Sequence, residues 1–109
     1  MDKNKLEEMA IAGFKNLQIA RAALFAATEK VIYFEMILDG EKSAALLSGE
    51  IDGKNEEMRK AQLKDILQDK LTELAILQNG ERRARFDFET TASDLDTCKT
   101  LLRIAELTE

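Results

Sequence analysis

Apolar residues recur every seven positions from Ala10 through Leu17, Leu24, Val31 and Leu38 to Ala45. A companion column three residues further on holds Gly13, Ala20, Ala27 and Phe34. This spacing returns a side chain to the same neighbour every second turn, so it marks a seam between packed α-helices. One column is large and the other mostly small, which lets a neighbouring backbone come close. Further apolar residues, Leu6, Phe14, Phe25, Ile32 and Ile37, are expected to widen the stripe, so that more than one partner helix packs on it. The chain has no proline in 109 residues, and nothing forbids a single helix over about 3–47. Gly40 costs roughly 1 kcal/mol against alanine in a helix; a kink or an early end would fall there.

The same design returns after residue 67. Leu67, Leu74, Glu81, Phe88, Leu95 and Leu102 form one column, and Leu77, Ala84, Thr91, Cys98 and Ala105 its companion. Between the two long patterns, Ser48-Gly49 reads as a helix stop, since glycine takes the left-handed conformation that closes a C-terminus. Asp52-Gly53 reads as a turn dipeptide, where glycine would be needed if residue 53 has a positive φ. Asn55 reads as the N-cap of a short helix over about 56–67. Glu56 and Glu57 suit the positive end of its dipole. A break is expected at Gln68-Asp69, with Asp69 capping a long helix over about 70–107.

The expected fold is therefore all-α: a long antiparallel helical hairpin with a short middle helix, one domain over residues 1–109. At 1.5 Å per residue the long helices reach roughly 68 and 57 Å. A hairpin of that shape has little interior of its own, so assembly into an oligomeric coiled-coil bundle is expected. Its expected seam is Leu17, Leu24, Val31, Leu38, Leu74, Phe88, Leu95 and Leu102.

Chemistry is harder to place. With no histidine and one cysteine, a His-based triad, a structural zinc site and a di-iron Glu-x-x-His site are excluded. Cys98 falls on the small column and reads as a buried packing residue in a reducing compartment. No catalytic constellation, cofactor site or metal site is expected. The formal net charge of −5 argues against a duplex-DNA binder, which needs a basic face. No apolar run approaches the ~20 residues of a membrane span. The start of the chain does not read as a signal peptide.

Two cationic clusters are candidate anion sites. Lys54 and Arg59, with Asn55 between them, flank a helix N-terminus that offers free N–H groups. Glu81 interrupts the second seam beside Arg82, Arg83 and Arg85. That place reads either as a polar layer fixing register or as guanidinium groups matched to phosphate oxygens.

The run Gly53-Lys54-Asn55-Glu56-Glu57-Met58-Arg59 resembles one found in small helical proteins of bacteriophages and prophages, which often carry Gly-Lys-Asn, a three-residue spacer and Arg between two long helices. The tail from Asp94 to Arg103 is similar to the ending of that group. The likeness covers about 48–107 and implies a phage or prophage source and a bacterial cytoplasmic setting. The function expected is a non-enzymatic interaction protein, partnered with itself as a homodimer or higher oligomer. One version sequesters a phosphate-bearing nucleotide signal of host defence at Lys54, Asn55, Arg59, Arg82, Arg83 and Arg85. Another is an acidic adaptor or inhibitor of a host or phage protein in nucleic-acid machinery, or an accessory factor in phage recombination or replication.

Overall fold

The computed structural model describes residues 2–108. Helix α1 runs over Lys3–Leu47, α2 over Glu56–Ile66 and α3 over Gln68–Leu107, with no strand among the described residues. The fold is all-α. Helix α1 passes through Gly40 without interruption. Its end is the one expected: Gly49 has φ 81°, and the Ser48 hydroxyl donates to the Ala45 carbonyl at 3.0 Å. That bond occupies one of the carbonyls left open by the last turn.

One expectation about the middle of the chain needs correction. The break between α2 and α3 falls at Leu67, not at Gln68-Asp69. Leu67 has φ −97° and ψ 9°, its N–H reaches the Leu63 carbonyl at 3.0 Å, and its own carbonyl accepts from the Leu71 N–H at 2.9 Å. The hydrogen-bond ladder thus passes through the break. Asp69 lies inside the first turn of α3, where its charge still suits the dipole. Leu67 itself is buried, which anchors the junction.

The condition on Gly53 is not met, and glycine serves another purpose there. Among the described residues the positive-φ glycine is Gly49 and not Gly53. Glycine is needed at 53 for space. A Cβ there would lie 2.8 Å from Met58 Cβ and 2.9 Å from the Arg59 backbone nitrogen.

The contacts divide the chain into two compact units, Met1–Ala27 with Glu81–Glu109, and Thr28–Gly80. Both α1 and α3 contribute to each. In the first unit the start of α1 runs antiparallel to the end of α3: Leu6 pairs with Cys98, and Gly13 with Leu95. Leu6, Ala10 and Cys98 are its buried centre, with Leu101, Leu102 and Ala105 packed against them. The small residue at 13 admits the leucine, because an added Cβ would come within 2.9 Å of Leu95 Cδ1. In the second unit the buried residues are Val31, Phe34, Leu38, Ala45 and Leu67. Lys70 at the start of α3 reaches Glu41 of α1 at 3.2 Å and stands 6.0 Å from the Phe34 ring centroid.

Burial on α1 keeps to the two seven-residue columns from Leu6 to Ala45. Leu17, Leu24, Val31, Leu38, Leu74, Phe88, Leu95 and Leu102, the residues expected at an oligomer seam, are all buried or half-buried within the single chain.

The glycines provide the test. Gly40 has open space around its missing Cβ, so Gly40→Ala should raise unfolding free energy by about 1 kcal/mol through helix propensity. Gly53→Ala should lower it by about 1–3 kcal/mol, the usual cost of overpacking. Equal effects of the two in chemical denaturation would show that residue 53 is not the close approach described.

Candidate functional site

The loop before α2 folds onto the helix it precedes. The Asn55 carboxamide oxygen accepts from the Met58 N–H at 2.8 Å. Gln62 reaches back to both residues of the turn: its carboxamide oxygen accepts from the Gly53 N–H at 2.8 Å, and its Nε2 donates to Asp52 Oδ1 at 2.7 Å. Arg59 Nη1 donates to the Gly53 carbonyl at 3.2 Å. Asp52, Gly53, Arg59 and Gln62 thus close a local network beside the Asn55 cap. Asn55 and Arg59 are committed to holding the loop. Lys54 is exposed and makes no such bond.

The second cluster lies in the other unit. Arg82, Arg83 and Arg85 are exposed on α3, and Glu81 is half-buried on the seam. No ion pair links that glutamate to the arginines. A further cationic place joins two helices in a way the sequence did not announce. Lys42 of α1 and Lys60 and Lys64 of α2 rim a groove of about 190 Å³ floored by Leu63, Leu67 and Leu71. Lys60 is already paired with Glu56 at 3.2 Å, an exposed pair one turn apart.

The most extended unused surface is apolar. Positions one and two residues after the Ala10 column lie roughly 130° to either side of the seam's centre line on a helix of 3.6 residues per turn, so that together they flank the face opposite it. They hold Ile11, Ile19, Phe25, Ile32, Tyr33, Leu46 and Leu47, with Met36 on the centre line between them, and every one is at least 51% exposed. Phe25 and Ile32 were expected to widen the seam; they belong instead to a second stripe on the opposite side. Leu6 lies in the core, Ile37 is half-buried, and Phe14 has the Lys99 ammonium 5.9 Å from its ring centroid. The signal that separates two stripes from one wide stripe was present in the spacing. Ile11, Phe25, Ile32 and Leu46 keep their own multiples of seven, one residue out of step with the seam.

Helix α3 is built differently. Its corresponding positions Arg82, Glu89, Asp96 and Arg103 are charged and exposed, and they outweigh the exposed Ile76, Phe86, Ile104 and Leu107 only in that they form a continuous column. A polar face of that kind is stable in water, whereas a helix that is apolar on opposite sides is ordinarily covered on both.

Cys98 is buried, and its thiol points to the Leu6 carbonyl at 3.4 Å. Among the described residues no group of three or more His, Cys, Asp or Glu side chains is placed to hold a metal ion. None of the described helices is long and apolar enough to cross a membrane. No protein-family model, no curated protein and no solved structure matches the chain.

If Asn55 and Arg59 serve the loop, their removal should register as stability. Asn55→Ala should cost roughly 1 kcal/mol, and Arg59→Ala should lower the melting temperature in the same direction, while Lys54→Ala leaves it unchanged. A Lys54→Ala loss as large as that of Arg59→Ala would contradict this division of roles.

Proposed function

We propose that this chain is a non-enzymatic interaction protein that works as an assembly of its own copies, joined through the outer face of α1. The observation that carries this reading is the exposed stripe of large apolar residues opposite the seam.

Assembly through α1 leaves the charged column of α3 facing outward, at Arg82, Glu89, Asp96 and Arg103. With a net charge of −5, that outward surface suits an adaptor or inhibitor that meets a protein partner through acidic and mixed charge. We favour this form over capture of a phosphate-bearing ligand, because Asn55 and Arg59 are engaged in the loop and the arginine trio lies in a different unit. A phage or prophage source and a bacterial cytoplasmic setting accompany the reading on the strength of the Gly53–Arg59 run.

Phe25→Glu and Ile32→Glu place a charge on the outer stripe without touching the seam. Each should reduce the mass measured by light scattering toward that of one chain while the far-ultraviolet helix signal per residue stays close to wild type. Unchanged assembly in both variants would refute the outer face of α1 as the contact.

A further inference from the structure

Resting on that reading, we infer that the occupant of the outer face is the α1 helix of a second copy, lying antiparallel, with the two-fold axis at Ala22. Two charges stand on the stripe that an apolar face does not need. Along its centre line, at intervals of seven, stand Lys15, Ala22 and Glu29. Lys15 and Glu29 are exposed, and neither has an ion-pair partner among the described residues. They are equally distant from Ala22. Only an antiparallel pairing centred there brings each onto the opposite charge of the other copy, twice over. A parallel, in-register pairing would stack lysine on lysine and glutamate on glutamate, and like charges across a helix interface select against that arrangement.

Side-chain sizes give the same register independently of charge. One edge of the stripe reads Ala12, Ile19, Ala26, Tyr33, small and large in alternation. Centred on Ala22, the same-edge neighbour of Ile19 is Ala26 of the second copy, one residue from level, and that of Tyr33 is Ala12. On this edge each large residue meets a small one. In the parallel pairing large would meet large and small would meet small, leaving bumps and gaps along the contact. The central Ala22 faces itself, which lets the two backbones approach closely, as Gly13 does for Leu95 within the chain. On the other edge the neighbour of Ile11 is Ile32, likewise one residue from level. The contact is isologous and closed, so this face yields a dimer and not a filament.

A charge exchange tests orientation and register together. Lys15→Glu alone opposes Glu29 of the second copy at both ends, and Glu29→Lys alone opposes Lys15. Each should weaken self-association on the order of tenfold in sedimentation equilibrium, a change of about 1.4 kcal/mol. An equimolar mixture of the two variants restores both opposite-charge contacts and should associate as tightly as wild type. A wild-type chain that self-associates, with single variants that are unaffected or a mixture no tighter than its components, overturns the antiparallel register and leaves the outer-face reading standing. A wild-type chain that stays monomeric at micromolar concentration overturns both. Melting curves of the single variants, recorded as monomers, separate loss of association from loss of folding.

Discussion

Helix α1 is apolar on two opposite sides, and the chain supplies one long helix to put against it. One side is met by α3 along columns in which a small residue faces a large one. Gly13 under Leu95 and the buried group of Leu6, Ala10 and Cys98 show how close that approach is. The other side, from Ile11 to Leu47, has no partner in the chain. That imbalance is what favours the proposed association of copies, because apolar surface left in water costs about 25 cal/mol per Å². The same imbalance explains the thin core. Few residues are buried, and every one of them lies on a helix seam or at the α2–α3 junction.

Much of the architecture was legible because helices write their contacts at a fixed period. The bounds of α1, the stop at Gly49 and the cap at Asn55 follow from local rules that tertiary packing did not override. What escaped was everything that depends on a neighbour. Gly53 looks like a turn glycine, but its role is set by Met58 and Arg59 coming within 3 Å of where its side chain would be. The break at Leu67 was placed one residue late, since a polar Gln-Asp pair looks like an interruption and a buried leucine does not. Phe25 and Ile32 were read as flanks of one stripe. Their own seven-residue spacing, one step out of phase with the seam, was the signal that they form a second stripe.

The candidate anion site shows the same limit from the other direction. Lys54, Asn55 and Arg59 are adjacent in a way that suits a phosphate, yet a guanidinium next to a turn has backbone carbonyls within reach. Arg59 takes the one at Gly53, and Gln62, which carries no charge to draw notice, completes the network. The groove of Lys42, Lys60 and Lys64 could not be seen from the sequence, because its cations come from two helices and face a common floor only after folding.

The account stands on the outer face of α1 being covered by another chain in solution. The dependence of the wild-type thermal midpoint on protein concentration, followed by circular dichroism, measures this most directly. Folding coupled to association makes the midpoint rise with concentration. The account predicts a steady rise over two decades of dilution, with the helix signal lost in one step. A midpoint independent of concentration across that range, in a chain that is fully helical, would contradict it.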